Sequence, residues 1–299
     1  MSSSHIAALR SVALNVPDVE AATRFYTDVW HLSLVSHTHD AAYLRGTGPA
    51  HHVLSLHGAD RTAVRNVTFQ ARSMDALHVV AGSVVDAGGR VLQAVQDIAE
   101  PGGGTGLTIA DADGRVLRIV HGDASHTDGH DERDRPIRLA HVVLNCHEVA
   151  TAQQFFERVL GFRLSDRTRI MAFMRCNSDH HSVALADADQ DSLNHIAFLM
   201  PDVDSVMRGG GRLRDAGHPI EWGPGRHGPG NNAFNYFVDP NGVAIEYTAE
   251  VLQVDDSYRT GGPDDWKWPS GRVDHWGISG PPSQHLKEVQ KAICFAPAA

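Results

Sequence analysis

The sequence has few cysteines, no long apolar run and no cluster of basic residues. Its three cysteines, Cys146, Cys176 and Cys294, are odd in number and lack CxxC spacing. This argues against a disulfide framework or a zinc ribbon and predicts reduced packing residues. No window approaches the roughly 18 consecutive apolar residues of a membrane span, and the first residues lack the charged and apolar segments of a signal peptide. We therefore expect a cytoplasmic protein without a membrane partner.

The charge of the chain is acidic and evenly spread. It has 26 basic and 36 acidic residues and a formal net charge of −10, with the Lys and Arg residues dispersed. A nucleic-acid-binding surface needs clustered positive charge, so we expect no nucleic-acid partner. With 299 residues, the chain is long enough for two domains, each with a buried core.

Three apolar runs each carry one residue that can bind a metal. The runs RLAHVVLN, LNHIAFLM and NGVAIEYTA are typical of β-strands and contain His141, His195 and Glu246. Two imidazoles and one carboxylate form the ligand set of a facial triad, which binds non-haem Fe(II) and leaves coordination positions open. Structural zinc sites usually have four protein ligands, and the sequence offers no fourth candidate. We therefore predict a catalytic metal site.

The first half of the chain repeats these strand contexts without the ligands. LRSVALN, RNVTF and ADADGRVLRI align with the three runs and place Ser11, Asn66 and Arg118 at the ligand positions, 130, 129 and 128 residues earlier. A nearly constant offset indicates an internal duplication. A hydroxyl, an amide and a guanidinium cannot hold a divalent cation together, so we assign the metal chemistry to the second half.

Each half is predicted to contain two units of one strand, one helix and three further strands. Two such βαβββ units side by side let the sheet curve into a half-closed β-barrel, with every second side chain directed into the hollow. The predicted fold is therefore α+β, with four βαβββ modules in two tandem domains. We expect an N-terminal domain without metal at 1–122, a linker at 123–136, a C-terminal metal-binding catalytic domain at 137–253 and a tail at 254–299.

The tail has three tryptophans, Trp266, Trp268 and Trp276, and little periodicity. Large aromatic side chains can pack such a segment onto its own domain. They can also form a lid that keeps water away from a reactive intermediate. The sequence leaves both alternatives open.

Residues that can handle protons are found near the predicted ligands. His180 and His181 are adjacent and precede a strand, His227 lies in the loop GPGRHG, and Tyr236 precedes Glu246 by ten residues. Histidine can give or take a proton near neutral pH, and a tyrosine hydroxyl can hydrogen-bond an oxyanion. We expect Tyr236 on the same strand as Glu246, facing the same way only if the intervening hairpin keeps register.

The motifs NHIAF, CNSDHHSVAL, GPGRHG and YFVDPNGVAIEYT resemble those of the type I extradiol ring-cleaving dioxygenases of the vicinal oxygen chelate superfamily. The resemblance extends over roughly residues 5–250 and is most specific at 171–248. It implies the glyoxalase-like fold, an N-terminal domain that has lost its metal, and Fe(II), occasionally Mn(II), in the C-terminal domain. By motif position it implies metal ligation by His141, His195 and Glu246.

The activity implied by this resemblance is cleavage of a catecholic ring with O2 in aromatic-compound catabolism, with both oxygen atoms inserted. His181 would be the acid–base residue, with His180 as the alternative. His227 and Tyr236 would hydrogen-bond the substrate oxygens.

The expected substrate has an uncharged, apolar ring substituent. Glu221 and Trp222 precede GPGRHG, where a basic residue is found in the branch of the family that cleaves carboxylated catechols. Met171 and Phe173 alternate on a strand and form either an apolar pocket wall or ordinary core. The predicted substrate contacts are His181, His227, Tyr236, Trp222 and Phe173.

Two other functions fit the same fold. One is an isomerase or epimerase that uses its metal only as a Lewis acid, and the other is a small-molecule binding protein of the drug-resistance type. The set of His181, His227 and Tyr236 argues against the first, and a complete triad argues against the second. We also expect a homo-oligomer.

Overall fold

Each half of the chain forms one eight-stranded sheet in the computed structural model, which describes residues 4–297. The N-terminal half has the strands β1 Ile6–Val16, β2 Ser33–His37, β3 Ala41–Arg45, β4 Leu54–Gly58, β5 Ala63–Ala71, β6 Arg90–Asp97, β7 Thr105–Ala110 and β8 Val116–His121. They lie in the order β2-β3-β4-β1-β5-β8-β7-β6. Its helices are α1 Val19–Arg24, continued by a π-helical turn at Phe25–Val29, and α2 Met74–Ser83.

The C-terminal half repeats this plan. Its strands are β9 Arg138–Cys146, β10 Arg163–Arg167, β11 Met171–Arg175, β12 Val183–Asp187, β13 Ser192–Leu199, β14 Trp222–Arg226, β15 Ala233–Val238 and β16 Ala244–Ala249. Their order, β10-β11-β12-β9-β13-β16-β15-β14, matches that of the first sheet. The helices are α3 Val149–Leu160, α4 Val203–Asp215 and, in the tail, α5 Gln284–Val289.

The four modules share one topology. In each, the last strand lies parallel beside the first, as β4 does with β1 and β12 with β9. Such a pairing needs a crossover connection, and the helix of the module lies in it. The first strands of paired modules, β1 with β5 and β9 with β13, are antiparallel neighbours. The prediction of four βαβββ modules in two tandem domains is confirmed.

The helix α3 shows why these sequences form helices that cover the sheets. Its buried residues include Ala152, Phe155, Phe156 and Val159, which form one apolar stripe at helical spacing. Gly161 follows the helix with φ of +72°, a left-handed conformation that glycine adopts without steric cost. The helix therefore ends where its apolar stripe ends.

The two halves pack closely against each other through aromatic residues. The ring of Trp30 stacks on that of Tyr247 with centroids 3.7 Å apart, and the hydroxyl of Tyr26 donates to Asp239 Oδ2 over 2.9 Å. All of these side chains are buried. The two domains are therefore held in a fixed relation, which keeps the hairpin after β15 in place.

The tail runs back along both domains. At its start the N–H of Val254 donates to the carbonyl of Ser178 over 2.7 Å, and near its other end Phe295 bridges to Val64 of β5. Cys294 is exposed, unlike the buried Cys146 and Cys176, so its prediction as a packing residue was wrong: it lies on the outer side of this returning segment.

The boundaries expected at 122/123, 136/137 and 253/254 stay predictions. None of the helices among residues 4–297 is long and apolar enough to cross a membrane.

Candidate metal centre and cavity

The register of three neighbouring strands brings the predicted ligands together. His141 on β9 pairs with Ala197 on β13, and Ala197 pairs with Glu246 on β16. Residues directly opposite each other point to the same face of a sheet. His195 joins that face because it lies two residues before Ala197. The small side chain of Ala197 leaves room between the two ligands that flank it.

The donor atoms of the triad converge on one point. Glu246 Oε2 lies 3.2 Å from His141 Nε2 and 3.1 Å from His195 Nε2, and the two imidazole nitrogens are 3.3 Å apart. Neighbouring ligands at right angles around an ion, with bonds of about 2.2 Å, are about 3.1 Å apart. All three side chains are buried. The donor set therefore fits a divalent metal ion.

The N-terminal half has the same frame with other side chains. Ser11 pairs with Thr68, Thr68 pairs with Arg118, and Asn66 lies two residues before Thr68. The internal alignment derived from the sequence is therefore reproduced in the strand register. Arg118 donates to both carboxylate oxygens of Glu100, over 2.7 and 3.2 Å, so an ion pair lies at the position that corresponds to the triad.

The surroundings of the triad favour the protonation states that metal ligation requires. Burial raises the pKa of Glu246, but His141 and His195 outweigh it and lower this pKa well below its ordinary value. Burial lowers the pKa of His195. A carboxylate and a neutral imidazole are the forms that bind a metal.

Asn194 orients one of the metal-binding imidazoles. Its Oδ1 lies 2.8 Å from His195 Nδ1, so this nitrogen carries the proton and Nε2 is left as the metal-binding atom. The same Oδ1 accepts from Gln290 Nε2 over 2.9 Å, and Asn194 Nδ2 donates to Asn145 Oδ1 over 2.9 Å. His141 Nδ1 has no such partner among residues 4–297.

The structure separates the two adjacent histidines. His181 lines the cavity beside the triad, with its ring centroid 4.4 Å from that of His141. His180 is fully buried behind it and contacts Asp166 instead. Burial, with the neighbouring His141 and His180, lowers the pKa of His181 well below its ordinary value. His181 is therefore the one of the pair that a bound molecule can reach.

Tyr236 and His227 lie beside the ligand His195. The hydroxyl of Tyr236 is 3.1 Å from His227 Nε2 and 3.4 Å from His195 Nε2. Burial and the charge of Glu246 raise the pKa of Tyr236 well above its ordinary value, and burial lowers the pKa of His227 to about 4.

The prediction that Tyr236 shares a strand with Glu246 was wrong, because the two lie on β15 and β16 as a directly opposite pair. The hairpin thus places both side chains on one face.

A cavity of about 460 Å³ opens above these residues. Trp222 and Phe173, both predicted as substrate contacts, line it, and so does Met171. The tail adds Trp266 and Trp268 to the wall, whereas Trp276 lies outside the lining. Two of the three tail tryptophans therefore belong to the cavity.

Several residues of the site had no role in the sequence-based prediction. Ala197, Asn194 and Gln290 are examples, and Asp166 is another. Asn194 precedes His195 in NHIAF, so its position beside a predicted ligand was a usable signal. Gln290 and Asp166 carry no such signal, because only the folded chain brings them near the histidines.

A second group of potential metal ligands, Asp113, His147 and Asp191, lies between the two domains. Arg115 forms ion pairs with both of these carboxylates and with Asp111. A guanidinium therefore already supplies the positive charge that these acidic groups need, and the cluster is an inter-domain ion network.

Comparison with known proteins identifies the family. The sequence profile of the Glyoxalase/Bleomycin resistance protein/Dioxygenase superfamily matches residues 5–119 and 138–247. The chain belongs to this superfamily. The match covers both halves of the chain separately, in agreement with the duplication, and it confirms the resemblance in the sequence motifs.

Relatives within the superfamily include a metapyrocatechase and a dioxygenase. Metapyrocatechase 2 of Cupriavidus necator is 36% identical over 143 residues, which are 47% of this chain and 42% of that protein. A manganese-dependent 2,3-dihydroxybiphenyl 1,2-dioxygenase of Geobacillus genomosp. 3 is 23% identical over 79% of this chain and 82% of its own length. Among solved structures, that of a Mn(II)-bound glyoxalase from Novosphingobium aromaticivorans superposes on this chain with a TM-score of 0.88, over 95% of this chain and 94% of that one. The two sequences are 35% identical.

Proposed function

We propose that this protein is a metal-dependent extradiol dioxygenase, which cleaves a catecholic ring with O2 and uses Fe(II) or Mn(II). The observation that carries the proposal is the convergence of His141, His195 and Glu246 at the base of a cavity that also exposes His181 and Tyr236. A triad with open coordination positions and nearby proton-handling groups is the arrangement that oxygen chemistry on a diol requires. The dioxygenases among the relatives support the same activity.

The metal would be held by His141, His195 and Glu246, and when bound it supplies open positions at which a diol and O2 are kept side by side. All other parts of the proposed reaction are carried out by side chains of the protein. Tyr236 and His227, whose polar atoms are 3.1 Å apart, hydrogen-bond an oxygen of the substrate and hold it in orientation.

His181 acts from its position beside the ligand His141. Its ring nitrogen Nε2 accepts a proton from the diol and returns it to an oxygen later in the reaction. The ring of Phe173, with its centroid 5.2 Å from that of His181, belongs to an apolar wall that excludes water. We expect an apolar substituent on the substrate ring, which this wall and Trp222 would accommodate.

Oxygen uptake tests the proposal. The protein is freed of metal, loaded anaerobically with Fe(II) or with Mn(II), and mixed with O2 and a panel of alkyl- and aryl-substituted catechols. We expect O2 consumption together with the absorbance of a ring-opened product. A metal-loaded protein that consumes no O2 with any diol would contradict the proposal.

Two variants at corresponding positions sharpen this test. His195→Ala should lose both metal and activity, because two remaining ligands underfill the site. Asn66→Ala, at the same position of the N-terminal half, should keep both. Equal loss in the two variants would show that the effect is one of folding.

A second candidate is an oxygen-independent, metal-dependent isomerase. The similarity to a Mn(II)-bound glyoxalase over 95% of the chain favours it. The Mn(II)-loaded protein should then convert the adduct of methylglyoxal and glutathione under nitrogen. Conversion of the adduct under nitrogen, combined with no O2 uptake with catechols, would favour the isomerase over a dioxygenase.

A further inference from the structure

A chain of hydrogen bonds connects the cavity histidine His181 with the C-terminal tail. His181 Nδ1 lies 3.1 Å from His180 Nδ1, and His180 Nε2 lies 2.8 Å from Asp166 Oδ2. Two groups of the tail complete the chain: the hydroxyl of Tyr258 donates to Asp166 Oδ2 over 3.1 Å, and the N–H of Gly261 donates to Asp166 Oδ1 over 2.7 Å. His180 and Asp166 are both 0% exposed.

The donors around Asp166 decide where the protons are. An ionised carboxylate can only accept hydrogen bonds, and Asp166 receives one each from Tyr258, Gly261 and His180. His180 therefore carries its proton on Nε2. We take His180 as neutral, since Arg175 also acts electrostatically on Asp166. A neutral imidazole has one donor and one acceptor, so His180 Nδ1 is an acceptor and His181 Nδ1 carries the proton that is shared between them. Nε2 of His181 is left with its lone pair.

Packing also holds the His181 ring in one orientation. A Cβ placed on Gly230 would lie 2.8 Å from His181 Cε1, so the glycine backbone closely covers that edge of the ring. The rings of His141 and Phe173 pack against it, with centroid distances of 4.4 and 5.2 Å. The ring cannot turn to exchange its two nitrogens without moving these neighbours.

We propose that Asp166 and His180 are positioning residues, which fix His181 as the Nδ1–H tautomer and leave Nε2 free to accept a proton in the cavity. Tyr258 and Gly261 of the tail hold Asp166 in place. The inference rests on the proposed function for the use of His181 as a base, but the tautomer is a property of the chain itself. The tail therefore contributes to the acid–base residue as well as to the cavity wall.

Nitrogen NMR tests the proposal without any substrate. The full chain, labelled with ¹⁵N in histidine and loaded with diamagnetic Zn²⁺, gives long-range ¹H–¹⁵N correlations that distinguish protonated from unprotonated ring nitrogens. The His181 signals are identified as those missing from the spectrum of the His181→Phe variant. We expect Nδ1 to be protonated and Nε2 to be unprotonated. The opposite tautomer in the unmodified protein would overturn the proposal, whichever reaction the protein catalyses.

Asp166→Asn should reverse the tautomer. The amide oxygen would still accept from Gly261, so the amide nitrogen would take the place of Oδ2 and donate to His180 Nε2. The Tyr258 hydroxyl, which donates to Oδ2 in the unmodified protein, would turn its hydrogen away, and each proton in the chain would move to the other nitrogen. His181 should then show a protonated Nε2. An unchanged His181 signature in a folded Asp166→Asn protein would overturn the proposal.

A matched control uses another buried aspartate of the same domain. Asp179 precedes His180 in the chain, but its carboxylate pairs with Arg138 over 2.9 Å and accepts from Gln253 over 2.8 Å instead of contacting either imidazole ring, so Asp179→Asn should leave the His181 signals unchanged. If the protein is a dioxygenase, kcat should fall about 100-fold or more in Asp166→Asn with KM changed by less than about 3-fold. Failure of the proposed function would appear as no O2 uptake in the unmodified protein while the tautomer result stands.

Discussion

The contact between Asn194 and His195 gives the sharpest test of the metal site, because it can be removed without touching a ligand. Asn194→Leu keeps the approximate size of the side chain but removes the oxygen that lies 2.8 Å from His195 Nδ1. The imidazole then loses the group that fixes its tautomer and its ring orientation. We expect metal affinity to fall while all three ligands remain.

The expected loss of metal affinity can be estimated from what such a hydrogen-bond partner usually contributes. Removal of such a partner of a metal-binding histidine lowers metal affinity by about 10- to 100-fold, or about 1.4 to 2.8 kcal/mol. This agrees with the about 1 to 3 kcal/mol that a buried polar group costs when its partner is removed, and His195 is only 5% exposed. Activity at saturating metal should change less than affinity does.

The assay is a competition between the protein and a chromogenic chelator for Mn²⁺ or Zn²⁺. Gln290→Leu is the matched control, since Gln290 contacts the same Asn194 oxygen but does not contact His195. Its affinity should stay within about 3-fold of the unmodified protein. Unchanged affinity in Asn194→Leu, or an equal loss in both variants, would refute the reasoning.

Three further predictions concern the site and its scaffold. His195→Ala should contain less than a tenth of the metal found in Asn66→Ala by elemental analysis, and retained stoichiometric metal would contradict the ligand assignment. Tyr236→Phe should keep its metal but lose about 10- to 100-fold in kcat, as measured by O2 uptake; an unchanged rate would remove Tyr236 from the reaction. Arg115→Met should lower the free energy of unfolding by about 3 to 5 kcal/mol, because it leaves the buried carboxylate of Asp111 without its partner, and urea unfolding that shows no change would contradict this.

The triad could be predicted from the sequence because strand alternation and duplication leave local signals. His141, His195 and Glu246 each lie in a recognisable strand, and the aligned Ser11 and Asn66 show that the frame exists without ligands. The pairing of Tyr236 with Glu246 was missed, because the two residues were expected on one strand, although the sequence carries a signal for it. The turn residues after β15 lie midway between them, and a hairpin pairs residues at equal distances from its turn.

The contribution of the tail could not be predicted, because it depends on contacts between distant and irregular segments. Tyr258 and Gly261 lie more than ninety residues from Asp166, which they contact. No periodicity marks them, and neither residue type is specific for such a role. The choice between His180 and His181 needed the same information, since only the fold shows which ring faces the cavity.

The two halves of the chain solve the same electrostatic problem in different ways. A buried carboxylate needs a compensating positive charge. In the N-terminal half the partly buried Glu100 has such a charge in Arg118, a cation that is part of the chain. In the C-terminal half Glu246 is 0% exposed, and within residues 4–297 its only ion-pair partners are the histidines His141, His195 and His227. Burial lowers the pKa of His195 and of His227. The imidazoles of these two residues therefore favour the neutral form and do not supply the positive charge. A divalent metal held by the triad would supply the missing charge. Glu246 stands where the N-terminal half has Arg118, so this domain has a carboxylate in the place of a cation and needs a metal to balance it.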